Sequence, residues 1–142
     1  MAVQRMDTVL IVVEDLEAAI AFFAELGLEL EGRTTVEGDW VDGLLGLEGV
    51  RADIAVVKTP DGHGRVELSK FHTPAATGPG HAPVNSLGTG RVMFMVDDLD
   101  DVLARVRGAE LVGEVVRYKD IYRLCYVRGP EGIVAGLTEQ LG

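Results

Sequence analysis

The alternation of apolar and polar positions along the chain is written twice. Val9-Leu10-Ile11-Val12-Val13-Glu14-Asp15-Leu16-Glu17 opens one half and Val92-Met93-Phe94-Met95-Val96-Asp97-Asp98-Leu99-Asp100 the other. At a constant offset of 83 the halves share Val9/Val92, Val13/Val96, Asp15/Asp98, Leu16/Leu99, Ala21/Ala104 and Leu28/Leu111. A second echo joins Pro60-Asp61-Gly62 before Val66-Glu67-Leu68 to Pro130-Glu131-Gly132 before Ala135-Gly136-Leu137. Two copies of one strand–helix–strands unit are therefore expected.

Thr8 to Val13 is a continuous apolar and β-branched run, which predicts a strand buried on both faces. Asp15 then reads as a helix N-cap, because its carboxylate can accept the orphan N–H groups of a first turn. Leu16, Ala19, Ile20, Phe23 and Leu26 recur at helical spacing, and Gly27 closes the helix in the left-handed conformation. Strands are expected over Leu28 to Val36, Ala52 to Lys58 and Arg65 to Phe71. The Gly-rich stretch from Glu37 to Val50 reads as a short helix or a mobile flap. Thr73 to Gly90 loses periodicity and holds Pro74, Pro79 and Pro83, so it reads as a linker. The second copy follows with a strand over 91–97, a helix from Asp98 to about Arg107, strands over 109–117 and 122–128, a turn at 129–132 and a strand over 133–139. The fold class is α+β: one domain over 1–142, made of a βαβββ unit at 6–72, a linker at 73–90 and a second βαβββ unit at 91–140. Parallel strand pairs need a crossover, which each unit's helix supplies, and the two units would curl into a half-barrel cleft.

Composition narrows the function classes. The 142 residues are 47% hydrophobic, enough for a real core. The net charge of −10 argues against nucleic acid and against an anionic membrane surface, both of which need Lys and Arg. An anionic ligand would need a local basic patch. The single cysteine, Cys125, forms no internal disulfide, and no apolar signal region opens the chain. A cytoplasmic protein is the expectation.

The pattern Val9-x3-Val13-x-Asp15-Leu16-x-Ala18-x3-Phe22-x4-Gly27-Leu28, with the closing turn Gly129-Pro130-Glu131-Gly132-Ile133, resembles the vicinal oxygen chelate superfamily. That group includes glyoxalase I, extradiol dioxygenases, fosfomycin-resistance enzymes and bleomycin-binding proteins. The resemblance covers residues 6–140. It implies paired βαβββ units, frequent dimerisation, and a metal held in the cleft by residues from four strands. Carried over by position, those ligand slots fall on Thr8, Glu67, Arg91 and Gly136. Only Glu67 is a good ligand; Thr8 is a weak neutral donor, Gly136 has no side chain, and Arg91 places a permanent cation where a dication would sit. No metal and no cofactor are therefore expected.

Other residues carry candidate chemistry. Arg91 could bind an anionic or carbonyl oxygen, with Glu67 orienting the ligand or acting as a base. His72 follows the strand of Glu67 and could shuttle a proton, or it simply caps a strand end. Trp40 is either core packing or an aromatic wall for a planar ligand. Tyr122 and Tyr126 share a strand face, and one could offer a phenol to the ligand. Cys125 alternates to the opposite face and reads as a small buried hydrophobe. His63 and His81 read as loop residues. The reading is a metal-independent binding protein for a partly apolar small molecule, of the antibiotic-sequestering type, working as a homodimer. The alternatives are an enzyme of the superfamily (lyase, isomerase or dioxygenase-like) using Glu67 and Arg91, or a metal enzyme whose ligands lie elsewhere.

Overall fold

The computed structural model describes residues 2–106 and 110–142. The chain divides into two compact units, one ending at Gly78 and the other starting at Pro79. Both are α+β.

The first unit runs β1 (Val9–Val12), α1 (Leu16–Leu26), β2 (Glu29–Glu37), α2 (Asp39–Leu45), β3 (Arg51–Lys58) and β4 (Arg65–Thr73). Its sheet has the order β1-β4-β3-β2, with β1 parallel to β4 and the other pairs antiparallel. The Asp15 carboxylate caps α1 by accepting the Ala18 N–H at 3.0 Å. Gly27, at φ 109°, ends the helix in the left-handed region that a side chain disfavours. Leu16, Ala19, Phe22, Phe23 and Leu26 are buried, and α1 packs on β2, β3 and β4. Phe22 and Phe23 meet edge to face with ring centroids 5.2 Å apart. Truncating the fully buried Phe23 to alanine would cost about 3–5 kcal/mol.

The stretch from Glu37 to Val50 holds a short anchored helix, α2. Val41 of α2 is buried against Val50 and Ala52, with Val36, Ile54 and Phe71 packed around them. The Asp42 carboxylate accepts the N–H groups of Gly49 and Val50 at 3.0 and 2.8 Å, which fastens the helix to the loop behind it. One expectation is corrected here. The first strand is not buried on both faces: it is a sheet edge, and Val9, Leu10 and Val12 are 40–52% exposed. A continuous apolar run does not distinguish a central strand from an edge strand with an uncovered apolar face.

The second unit runs β5 (Val92–Val96), α3 (Leu99–Arg105), β6 (Glu110–Leu111), β7 (Val116–Tyr118), β8 (Tyr122–Arg128), a short 3-10 turn (Pro130–Gly132) and β9 (Val134–Gln140). Its sheet has the order β5-β9-β8-β6, and β7 also pairs with β8. Asp98 caps α3 by accepting the Asp101 N–H, repeating the device at Asp15. The single strand expected over 109–117 is broken into β6 and β7 around Val112-Gly113-Glu114-Val115. The expected helix end at Arg107 and strand start at Ala109 lie outside the described residues.

The segment expected as a linker is mostly part of the second unit. Residues 79–90 are bound to the second sheet at several points. Gly132 lies so close to the backbone of this strap that an added Cβ would overlap the Gly80 carbonyl, and its φ of 83° disfavours a side chain as well. The Arg128 Nη2 donates to the Ala82 carbonyl at 3.1 Å, and the Arg91 Nη1 to the Val84 carbonyl at 3.3 Å.

Candidate functional site

Each sheet has a face packed by its helix and a second face that the helix does not cover. Register decides which residues stand on which. In the first unit Val66, Leu68, Ala55 and Val57 are buried toward α1, and Arg33 on that side pairs with Glu17 of the helix. The alternate positions form the other face: Leu10 opposite Glu67, Val12 opposite Ser69, with Val56 and Ile54 on the next strand; Ser69 is buried and α2 packs over the Ile54 end, so the part left open is around Leu10 and Val12. In the second unit Phe94, Leu137 and Cys125 stand toward α3, whose Asp100 binds Arg123. The other face carries Met93 opposite Gly136 and Tyr126, and Met95 opposite Thr138 and Leu124.

These faces superpose by register. Leu10–Glu67–Val56 in the first unit corresponds to Met93–Gly136–Tyr126 in the second. Glu67 is half-buried between Leu10 and Val56, and no described residue of its own unit gives its carboxylate a hydrogen bond or an ion pair. At Gly136 the space of a side chain is already filled. A Cβ there would overlap Met93 Sδ and stand 2.5 Å from Met93 Cε and 3.0 Å from Tyr126 Cε1. Arg91 lies with its guanidinium carbon 5.0 Å from the centre of the Tyr126 ring, a cation–π contact.

A divalent ion does not fit this donor set. Among the described residues no group of three or more His, Cys, Asp or Glu converges on a point. Of the four slots, one is a carboxylate and one a hydroxyl. The third is a guanidinium stacked on a phenol ring, and the fourth is a glycine covered by a thioether. A catalytic metal usually needs three protein ligands, and a fixed cation repels it.

The structure separates the other candidates. His72 is not beside Glu67. It lies with Asp53 and Thr35: His72 Nε2 is 2.8 Å from Asp53 Oδ2, and the Thr35 hydroxyl donates to Asp53 Oδ1 at 2.7 Å. Asp53 is opposite Lys70, which pairs with Glu14 ahead of α1, so this cluster is on the helix side of the sheet. The hydrogen bond from His72, then that from Thr35, holds the Asp53 carboxyl below the usual carboxylate range. The cause is strand alternation: His72 is five residues beyond Glu67 and two beyond Lys70, so it shares the Lys70 face.

Trp40 is 62% exposed on α2, which also carries the more exposed Leu44, so it is not core packing. Tyr122 shares the uncovered face of the second sheet with Leu124 and Tyr126 and is opposite Tyr118. Cys125 is buried toward α3, and burial pushes its thiol pKa up. His63 is in the turn that follows Thr59, and His81 is in the strap. Sequence reasoning passed over Arg128. Its signal was available: it follows Tyr126 by two positions and so shares its face.

Two sheets built from repeated βαβββ units define the class of fold. The chain belongs to the Glyoxalase/Bleomycin resistance protein/Dioxygenase superfamily, whose family model matches residues 5–134. It is similar to a crystal structure of a glyoxalase family protein from Bacillus cereus, at 55% identity and a TM-score of 0.94, covering 100% of this chain and 99% of that one. It shares its fold with an antibiotic-binding protein from a Streptomyces species, at 21% identity and a TM-score of 0.62, covering 99% of this chain and 98% of that one. It also shares its fold with a fosfomycin resistance protein from Listeria monocytogenes, at 14% identity and a TM-score of 0.65, covering 99% and 94%. No curated protein matches the sequence.

Proposed function

We propose that this protein is a metal-independent small-molecule binding member of its superfamily. The observation that carries the reading is Met93 lying across Gly136, with Tyr126 beside it. A position suited to a coordinating side chain is filled by a thioether and an aromatic ring, which are surfaces for an apolar ligand. The uncovered faces agree: Leu10 and Val12 in one unit, and Met93 and Met95 in the other, are large apolar side chains left about half exposed. On the first unit's face Glu67 is the polar group that would orient a ligand, with exposed Trp40 offering a ring to stack on, and on the second unit's face Arg91 and Tyr122 are. His72 has no part in this site. A homodimer in the cytoplasm and an antibiotic as the ligand are the finer form of the same reading.

Native mass spectrometry of freshly isolated protein, with elemental analysis of the same sample, tests it. The expected result is a bound organic molecule and a metal content well below one ion per chain. One tightly bound divalent ion per chain overturns the reading.

A second reading has its own observation. Glu67 is half-buried beside aliphatic side chains with no donor from its own unit, which leaves its carboxylate available as a base. A superfamily enzyme using Glu67 as its base would lose turnover on Glu67→Gln while ligand affinity stayed within a few-fold.

A further inference from the structure

We infer that Arg91 and Arg128 form a carboxylate clamp on the uncovered face of the second sheet, and that the ligand is an organic anion with an aromatic or extended apolar body. This rests on the binding reading above and names the ligand class. In an acidic chain of net charge −10, arginines are readily neutralised by neighbouring carboxylates. The other arginines in a strand or next to one are: Arg33 pairs with Glu17, Arg51 with Glu37, Arg65 with Glu31, Arg117 with Asp120, and Arg123 with Asp100 and Glu139. Arg91 and Arg128 are the exceptions. Among the described residues neither meets a carboxylate.

Both belong to one place. Arg91 stacks on Tyr126, and Arg128 follows Tyr126 by two positions on the same strand, hence on the same face. Both are tied to the same strap, at carbonyls two residues apart, Val84 and Ala82. A guanidinium carries five N–H donors, and one bond to a carbonyl leaves the rest for a planar bidentate acceptor. The strap therefore holds the two cations in place without cancelling their charge. Beside them Met93, Met95 and Leu124 form an adaptable apolar floor on the same face. Two oriented guanidiniums next to a thioether-lined surface suit a carboxylate joined to an apolar body.

The test compares 2-naphthoate with its neutral isostere 2-naphthamide by calorimetric titration into the full chain. The expected result is a carboxylate advantage of about tenfold or more, shrinking as salt is raised. Arg91→Gln and Arg128→Gln should each remove most of that advantage and leave amide affinity within about twofold. Arg51→Gln, which deletes the same charge elsewhere, should leave the advantage intact. A purely structural role for the two arginines would lower the melting temperature without touching the naphthoate-to-naphthamide ratio, and that outcome overturns the clamp. Equal binding of both probes also overturns it while the apolar-face reading stands. Binding of neither probe overturns it too, and native mass spectrometry then decides the broader reading alone.

Discussion

The packing of Met93 over Gly136 can be measured through a double-mutant cycle. Gly136→Ala adds a Cβ that overlaps Met93 Sδ and crowds Met93 Cε at 2.5 Å and Tyr126 Cε1 at 3.0 Å. Overpacking of a rigid core costs about 1–3 kcal/mol. Here the obstacle is the far end of a flexible side chain that is 49% exposed, so it can swing out and the cost falls to the low end of that range. Opposing it, alanine restricts the unfolded chain more than glycine and stabilises by about 0.4–1 kcal/mol where the backbone allows a side chain. Gly136 lies in β9 with no positive φ, so the backbone does allow one. The single substitution should thus be destabilising by about 0.5 kcal/mol, or nearly neutral. In a Met93→Ala background the main obstacle is gone, and Gly136→Ala should stabilise by about 0.5 kcal/mol, with the residual Tyr126 contact working against it. The coupling energy between the two sites is then about 1 kcal/mol, readable from urea unfolding of the four proteins. Identical effects of Gly136→Ala in both backgrounds would show that Met93 does not occupy the space, and the main support for the binding reading would go with it.

Other expectations are simpler to check. Asp53, Asp100 and Glu31 have carboxyls held below their ordinary values, by His72, Arg123 and Arg65 respectively as the largest causes. Such groups stabilise the fold above their unfolded pKa and lose that contribution as pH falls through the lower folded value, so melting temperature should drop below about pH 4, and less so in Asp53→Asn. Asp15→Ala and Asp98→Ala each remove a helix N-cap and should each cost about 1 kcal/mol by chemical denaturation. Cys125 is buried with its thiol pKa raised, so iodoacetamide should label it slowly in native protein at pH 8 and rapidly in urea.

How much of this was legible in the sequence follows from what each element depends on. The repeat, the α+β class and the cap at Asp15 are local signals, and each survives in the structure. The edge character of β1 was hidden, because an apolar run records hydrophobicity and not which faces are covered. The break between β6 and β7 was hidden as well, since Val112 and Val115 keep the strand composition while Gly113 and Glu114 interrupt the pairing. For the candidate site the parity of Glu67, Tyr122 and Tyr126 could be read from period two. The same parity puts His72 on the face opposite to Glu67, whereas its partner Asp53 could not be read, because that pairing turns on the register of β3 against β4. The role of residues 79–90 was misjudged for a related reason. Pro and Gly content marks a segment without regular structure, whereas its attachment is made by Arg91, Arg128 and the tight approach at Gly132, all remote in sequence.

The repeat also says where the two halves were free to diverge. Positions toward the helices keep their apolar character, as Leu68 and Leu137 show at equivalent register, both fully buried. Divergence is concentrated on the uncovered faces. Glu67 in one copy is Gly136 in the other, and Thr8 in one copy is Arg91 in the other. Each exchange makes the second face more positive by one charge, against a chain that is strongly acidic throughout. One face keeps a single carboxylate among aliphatic side chains, and the other sets a guanidinium on an aromatic ring. The buried positions hold the scaffold in both copies, and Arg91 holds the strap and the Tyr126 ring with only part of its donor set. On the proposed binding reading the remaining charge serves a ligand that brings its own oxygens, so Arg91→Glu should abolish carboxylate binding while leaving the fold's melting temperature within a few degrees.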